Sequence, residues 1–135
     1  MLPAPPPVQN PETADFWAAT SRGVLLITKC DDCGEYTWYP RFFCAHCWST
    51  NAQQVPATGA GSIYSFAINR RGVEPYTGDG VTPYVIAYVE LDEGPRILTN
   101  IVDTDVDDIR IGDRVQLTFH DTGTGSALYR FRVVR

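Results

Sequence analysis

Four cysteines are the residues of this chain whose type and spacing point most directly to chemistry. They form two C-x-x-C pairs, Cys30 with Cys33 and Cys44 with Cys47, and ten residues separate the pairs. This spacing is typical of a zinc ribbon, in which each pair lies on a tight turn and gives two thiolates to one metal ion. Zinc bound by four thiolates has no open position for substrate, so the predicted site is structural rather than catalytic.

Other interpretations of this cluster remain open from the residues alone. Iron in the same four thiolates would make a rubredoxin-like electron carrier, and the spacing does not separate the two metals. Disulfides are disfavoured, because cysteines separated by two residues in one knuckle pair poorly and no signal-peptide pattern implies an oxidising compartment. His46 lies inside the second pair, where the regular thiolate spacing favours a solvent-facing knuckle residue over a metal ligand.

The length and the charge of the chain limit its function. Its 135 residues suffice for one small barrel and a metal-stapled ribbon, but not for two large domains. The formal net charge of −5 opposes binding to nucleic acid and to anionic membranes. No apolar run is long enough to span a membrane, so we expect a soluble, cytoplasmic protein.

The sequence of the N-terminal 23 residues predicts an extended tail followed by one short helix. Prolines at four of the first ten positions favour a polyproline-like conformation for residues 1–10. Asn10 is a helix N-cap candidate, Pro11 suits the first helical turn and Gly23 is a stop signal. These signals predict a helix from about Pro11 to Arg22.

Aromatic residues are dense in the helix and around the cysteines. Phe16 and Trp17 point about 100° apart around the predicted helix, so a single narrow stripe does not easily bury both. The alternative, in which both pack on the ribbon or barrel, remains open. A ribbon has almost no interior, and surplus aromatic residues are typical of an interface core. The predicted interface residues are Phe16, Trp17, Trp38 and Phe42.

After residue 58 the sequence changes to short alternating strands separated by glycine, proline and aspartate. Five strands with a helical turn, Asp105–Ile109, after the third predict an OB-fold. The fold class is therefore mainly β, with a short N-terminal helix, a four-cysteine zinc ribbon and a five-stranded OB-fold barrel. The predicted division is 1–23 for the tail and helix, 24–58 for the ribbon and 59–135 for the barrel. Predicted strands are Val24–Ile27 in the ribbon and, in the barrel, Ser62–Ile68, Tyr84–Leu91, Arg96–Ile101, Arg114–Phe119 and Tyr129–Val134. Residues 84–89 are apolar on both faces, which predicts cover on the outside of the barrel by the ribbon, the helix or a partner.

The loop from Asn69 to Thr82 is the candidate ligand-binding segment, because the corresponding loop of many OB-folds borders the ligand face. Arg70 and Arg71 suit a phosphate and Tyr76 suits a base, as in a contact with acyl-CoA, although a solvated arginine pair is the more ordinary interpretation. Single-stranded nucleic acid is the alternative ligand of an OB-fold. It is disfavoured because acidic residues between 103 and 113 offset the arginines at positions 110, 114, 130 and 132.

The chain has no recognisable catalytic constellation. Neither His46 nor His120 has a nucleophile or a carboxylate at a meaningful offset, and the predicted metal site uses all four thiols. We therefore expect no enzymatic activity from the chain alone.

Several short motifs together resemble one protein family across nearly the whole chain after the proline tail. That family comprises acyl-CoA-associated proteins with an N-terminal rubredoxin-like zinc ribbon and a C-terminal OB-fold. Trp48 departs from the family pattern, because glycine is usual after the last cysteine of the knuckle. The motifs are Phe16-Trp17, Cys30–Gly34, Tyr39-Pro40-Arg41, Cys44–Cys47, Gly61–Ser65, Pro83–Ala87, Glu90–Arg96 and Ile111-Gly112.

This resemblance implies a function by association. Members of the family are non-catalytic partners of thiolase-superfamily enzymes, including thiolases and the retro-aldolases of steroid side-chain degradation. The resemblance implies that this chain binds and stabilises such an enzyme in a hetero-oligomer and helps to form its acyl-CoA channel. It also implies a structural Zn²⁺ as the cofactor.

Overall fold

The computed structural model describes residues 3–74 and 80–135. One helix, a three-stranded sheet and a closed five-stranded barrel follow each other along the chain. The predicted fold class is therefore confirmed: the protein is mainly β, with a ribbon that holds the cysteines and an OB-type barrel.

Helix α1 covers Ala14–Thr20 and is shorter than predicted at both ends. Asn10 still organises its start, because both the backbone oxygen and Oδ1 of Asn10 accept from the N–H of Thr13 at 3.0 Å. Residues 11–13 form a turn before the helix. At the other end the N–H of Val24 donates to the carbonyl of Ala19, which ends the helix and directs the chain into the ribbon.

The ribbon sheet has three antiparallel strands in the order β2-β1-β3. They are β1 at Leu26–Cys30, β2 at Tyr36–Thr37 and β3 at Ala52–Pro56. Strand β1 was predicted at Val24–Ile27, but Val24 completes the helix end and pairing with β3 begins at Leu26. Each cysteine pair lies at the end of this small sheet, where the chain turns.

The barrel strands are β4 to β8, and they close in the order β4-β5-β6-β8-β7. A short 3-10 helix, Val106–Asp108, connects the third barrel strand to the fourth, as predicted. The predicted bounds of β5 and β6 are confirmed, whereas the other three strands begin or end up to two residues away. The strands are β4 Ala60–Asn69, β5 Tyr84–Leu91, β6 Arg96–Ile101, β7 Arg114–Asp121 and β8 Ala127–Val133.

Strand β5 alternates strictly between buried and exposed residues, so its predicted cover by the ribbon or the helix is wrong. Val85, Ala87, Val89 and Leu91 fill the barrel, while Ile86 and Tyr88 face outward and are 37% and 46% exposed. The ribbon and α1 pack elsewhere on the barrel, which leaves this outward face of the sheet open within the chain.

Gly61 lies where three strands approach closely, because it pairs with Leu91 of β5 and with Val115 of β7. A Cβ at this position would lie 2.5 Å from the carbonyl oxygen of Glu90. We expect Gly61→Ala to lower the free energy of unfolding by about 1–3 kcal/mol, because backbone atoms must move to remove this contact. Urea denaturation of the zinc-loaded protein measures the change. An unchanged urea midpoint and slope would contradict the close approach of β5 and β7 to Gly61.

Within residues 3–74 and 80–135, no helix has the length and apolar character that crossing a membrane requires.

Candidate metal centre and partner surface

The two cysteine pairs converge into one cluster at the end of the ribbon. The four Sγ atoms all lie within 4.8 Å of one another, with Cys30 to Cys47 at 3.6 Å and Cys33 to Cys44 at 3.7 Å. A disulfide needs about 2.05 Å, so no disulfide joins these cysteines. Zinc at about 2.3 Å from four tetrahedral sulfurs places the sulfurs about 3.8 Å apart, and the cluster fits that geometry.

The backbone of each turn supports a negatively charged sulfur. The N–H of Cys33 lies 3.5 Å from Sγ of Cys30, and the N–H of His46 lies 3.3 Å from Sγ of Cys44. The N–H of Cys33 is the main cause of a lowered pKa at Cys30. Such N–H donors favour thiolates and orient them toward a metal ion.

The two turns have equivalent backbones although their sequences differ. Gly34 follows the first pair with φ of 77°, and Trp48 follows the second with φ of 65°. The N–H of each residue donates to the carbonyl of the first cysteine of its pair, Cys30 or Cys44, at 3.0 Å. Trp48 therefore adopts the left-handed conformation that glycine adopts freely, at a cost of about 1–2 kcal/mol.

Polar contacts join the two turns to each other. Asp32 accepts from the hydroxyl of Ser49 and, at 3.3 Å, from the side-chain amide of Asn51. The Ser49 hydroxyl, followed by the Asn51 amide, lowers the pKa of Asp32. His46 lies outside the sulfur cluster, and its Nε2 is 3.2 Å from the carbonyl of Tyr36.

Phe16, Trp17, Trp38 and Tyr129 form one aromatic cluster between α1, the ribbon and the barrel, here called the aromatic seam. The ring of Phe16 lies 5.2 Å from that of Trp38 and 5.7 Å from that of Tyr129, and Trp17 stacks on Tyr129 at 5.9 Å. Phe16 and Trp17 are 1% and 9% exposed. Burial in this seam raises the pKa of Tyr129 to about 12.

The seam confirms the alternative in which both helix aromatics pack on the ribbon and the barrel. The ribbon covers one side of α1 and the barrel covers another, so side chains 100° apart are both enclosed. Phe16 and Trp17 therefore connect parts of this chain and are not exposed anchors for a partner. Trp38 is half-buried in the same seam.

Three exposed aromatic residues lie further along the ribbon, at Tyr39, Phe42 and Trp48, and are here called the ribbon aromatic surface. Their exposed fractions are 40%, 62% and 74%. Trp48 stacks on Phe43 with ring centroids 5.4 Å apart, and the N–H of Phe42 donates to Glu12 at 3.1 Å. Of the four predicted interface residues, Phe42 is the one that this structure leaves largely open to solvent.

The predicted acyl-CoA contact lies partly outside the described residues. Arg70 and Arg71 are exposed, and Arg70 approaches Asp107 at 3.8 Å, which is a weak surface pair. Tyr76 is not among the residues that the structure describes. The contact of Arg70, Arg71 and Tyr76 with CoA stays a prediction.

The structure adds one pair of polar residues that the sequence did not predict. Arg130 is 2% exposed, and its Nη1 lies 2.5 Å from Nδ1 of His120. Arginine only donates, so Nδ1 of His120 accepts and the imidazole is neutral. Burial and the charge of Arg130 lower the pKa of His120. The contact depends on the register of β7 and β8, in which Thr118 pairs with Arg130, and no short motif encodes it.

Two domain families match consecutive parts of the chain. Residues 17–51 match "ChsH2, rubredoxin-like zinc ribbon domain", and residues 54–120 match "ChsH2, C-terminal OB-fold domain". The first match contains all four cysteines and part of α1, and the second contains most of the barrel. A zinc ribbon with this sulfur cluster is a structural zinc site.

Individual relatives agree with both matches. A DUF35 domain-containing scaffold protein from Methanothermobacter thermautotrophicus is 34% identical over 80% of this chain and 81% of the relative. Benzoylsuccinyl-CoA thiolase subunit BbsA from Geobacter metallireducens is 32% identical over 67% of this chain and 58% of the relative. A solved structure described as "Ltp2-ChsH2(DUF35) aldolase" superposes with a TM-score of 0.82 at 33% identity, over 95% of this chain and 98% of that one. This chain belongs to the DUF35 family and carries the zinc ribbon and the OB-fold of ChsH2 in the same order.

Proposed function

We propose that this chain is a non-catalytic accessory subunit that binds and stabilises a thiolase-superfamily enzyme acting on acyl-CoA. The observation that carries the proposal is the similarity to the Ltp2-ChsH2 aldolase, which extends over 98% of the matched chain. The relative named as a thiolase subunit supports the same class of partner. The enzyme is a thiolase or a retro-aldolase, in a pathway such as steroid or lipid side-chain degradation.

The metal has a mechanical role in this proposal. Cys30, Cys33, Cys44 and Cys47 hold one zinc ion, which supplies no chemistry to the reaction and keeps the two turns in a fixed arrangement. The aromatic residues of the ribbon lie between and beside these turns, so the metal also fixes their positions. A fixed surface loses little conformational entropy when a partner binds.

The ribbon aromatic surface is the proposed contact with the enzyme. Aromatic residues with open faces are enriched in the core of protein interfaces, where a few of them account for most of the association energy. Phe42 and Trp48 are the two most exposed aromatic side chains among the described residues of the chain.

The predicted loop provides the contact with the substrate in this proposal. Arg70 and Arg71 are exposed, and guanidinium groups suit the phosphates of CoA. We propose that these arginines, with Tyr76, lie beside the acyl-CoA channel that forms when the enzyme binds. The division of the chain at residues 23 and 58 separates the helix, the enzyme-binding ribbon and this substrate-facing barrel.

Coexpression tests the proposed function. The full chain is produced together with a thiolase-superfamily subunit encoded beside its gene, and the two are purified through a tag on either one. We expect a stoichiometric complex in gel filtration, an enzyme with higher solubility or activity than alone, and no acyl-CoA turnover by this chain alone. An enzyme that is equally soluble and active without this chain, with no complex in gel filtration, would refute the proposal.

Two substitutions in the ribbon aromatic surface test its role in association. We expect Phe42→Ala and Trp48→Gly each to weaken association by about 2 kcal/mol, or roughly 30-fold in Kd, if they lie at the centre of the interface. Trp48→Gly should leave the stability of the free chain within about 1 kcal/mol of wild type. Relief of the left-handed backbone offsets the lost stacking on Phe43, which contributes about 0.5–1.5 kcal/mol. Isothermal titration with the enzyme measures the change in Kd.

The matched control is Ile111→Ala, because Ile111 is 70% exposed and lies on the barrel. We expect its Kd to equal that of the wild type. Equal Kd values for all three variants would exclude the ribbon aromatic surface as the contact. Trp17→Ala and Trp38→Ala are unsuitable for this test, because both residues belong to the aromatic seam and their loss acts first on folding.

A further inference from the structure

A cleft of about 320 Å³ lies where the ribbon meets the hairpin between β5 and β6. Its volume is near the lower end of ordinary ligand pockets, which is about 300–1,000 Å³. The ribbon side includes Tyr36, Thr37 and Trp38, and the barrel side includes Glu93 and Arg96. The ribbon and the barrel therefore each form one wall of the cleft.

Two residues that line this cleft each have a polar atom that is buried without a hydrogen-bond partner among the described residues. These atoms are Oγ1 of Thr37 and Oε1 of Glu93. Thr37 is only 6% exposed, and the other carboxylate oxygen of Glu93 already accepts from the N–H of Thr58 at 2.8 Å. A buried acceptor without a partner costs about 1–3 kcal/mol, so this pair favours a group that donates hydrogen bonds.

The charges around the cleft favour a cation. Glu35 and Glu93 both line it, and the positive charge of Arg96 is already paired with Glu90 at 2.9 Å. The imidazole of His46, also on the ribbon side, lies with Nε2 against the Tyr36 carbonyl. Lys29 Nζ of this chain already lies 5.8 Å from the centre of the Tyr36 ring, so Trp38 is the lining residue on which a further planar cation can stack.

The surface next to the cleft indicates that the cation belongs to a protein. Arg96 lines the cleft and also lies 3.7 Å from the ring of Tyr64 on the outside of the barrel. Tyr64, Tyr88 and Leu98 are 49%, 46% and 49% exposed, and Tyr88 pairs directly with Leu98. A protein that covers this apolar face lies beside the cleft and can place a side chain in it.

We propose that the cleft receives an arginine side chain of the enzyme partner, with its guanidinium group donating to Glu93 Oε1 and Thr37 Oγ1. This inference rests on the proposed function and adds a second contact, separate from the ribbon aromatic surface. Arginine fits better than lysine because its planar fork has five donors in fixed directions and stacks on aromatic rings.

The first experiment uses methylguanidinium as the probe and the zinc-loaded full chain. We expect saturable changes in the ¹⁵N–¹H spectrum at the amides of Thr37, Gly94 and Arg96, and none with methylurea, which has similar shape but no charge. Glu93→Gln should weaken binding roughly tenfold or more, because the charge is lost while an oxygen remains for Thr58. Asp108→Asn, at an exposed acid on the 3-10 helix, should bind as the wild type does.

Thr37→Val separates a binding role from a structural one. Valine has the shape of threonine without its unpartnered hydroxyl, so we expect equal or higher thermal stability together with weaker methylguanidinium binding. A loss of stability would show that the hydroxyl supports the fold. Absence of probe binding, equal binding by Glu93→Gln, or shifts spread over all acidic residues would each overturn the inference, while the enzyme complex could still form.

The second experiment measures the complex itself. We expect Glu93→Gln to weaken association with the enzyme subunit roughly tenfold, and Asp108→Asn to leave it unchanged. If the complex forms but Glu93→Gln binds as the wild type does, the inference fails and the proposed function stands. If methylguanidinium binds in the cleft but no complex forms with the enzyme, the proposed function fails. An arginine of that enzyme is then excluded as the occupant of the cleft.

Discussion

Removal of the metal is expected to unfold the ribbon of this protein. Its three strands contain only two to five residues each, and they bury too little apolar surface to order the cysteine turns without a metal. Zinc contributes about 10–16 kcal/mol to the folding of small thiolate sites at neutral pH. We expect one zinc per chain by elemental analysis, and a loss of ribbon amide signals on chelation before any loss in the barrel.

Cys33→Ser is expected to unfold the ribbon without a chelator, because it removes one sulfur from the cluster while the other three remain. His46→Ala is the matched control, since His46 lies in the second turn and its imidazole is outside the sulfur cluster. We expect the control to keep one zinc and an ordered ribbon. Native protein without zinc, or with four cysteines that react readily with a thiol reagent, would contradict this prediction. A red, iron-loaded protein would support the electron carrier instead.

The metal site was predictable from the sequence because its geometry is local. Each pair of cysteines belongs to one tight turn, and the strand β1 that leads into the first turn pairs with both of its neighbours. Likewise, β5 and β6 are neighbouring strands joined by a short hairpin at Asp92–Pro95, so their apolar residues and the turn residues between them sufficed to locate them. Both bounds of both strands agree with the prediction.

The features that were missed depend on how separate units pack. Burial of Phe16 and Trp17 requires that the ribbon and the barrel approach α1 from different sides, which no periodicity in the helix encodes. The buried position of Arg130 depends on the register of β7 with β8 and on the contact with His120. The cleft at Thr37 and Glu93 likewise has one wall from each unit, separated by more than fifty residues in the chain.

The outer face of β5 is apolar in sequence, yet no other described part of the chain covers it. The sequence correctly marks Ile86 and Tyr88 as apolar on the outside of a barrel, and the structure shows that neither the ribbon nor α1 covers them. Large apolar patches on the surface of a protein are typical of interaction sites. Apolar residues that are exposed in the isolated chain are therefore those to which we assign contacts with the enzyme.

The aromatic seam yields the second large effect, on folding rather than on association. Phe16 is 1% exposed and contacts Trp17, Trp38 and Tyr129, so it touches the helix, the ribbon and the barrel at once. We expect Phe16→Ala to lower the free energy of unfolding by about 3–5 kcal/mol, because it removes the transfer energy of a buried ring and leaves a cavity among rigid rings. That is a large share of the roughly 5–15 kcal/mol that stabilises a typical domain. Urea denaturation of the zinc-loaded protein, followed by tryptophan fluorescence, measures the change.

The helix also provides controls for this prediction. Phe16→Leu keeps much of the apolar volume and should cost about 1.5 kcal/mol or less, and Ala14→Ser, at an exposed position, should change stability by about 0.5 kcal/mol or less. Phe16→Ala should retain one zinc per chain, because the sulfur cluster does not include the seam. A loss below about 1 kcal/mol would mean that α1 does not join the ribbon to the barrel. Unchanged stability with a large loss of enzyme binding would instead support the original prediction that Phe16 is an interface residue.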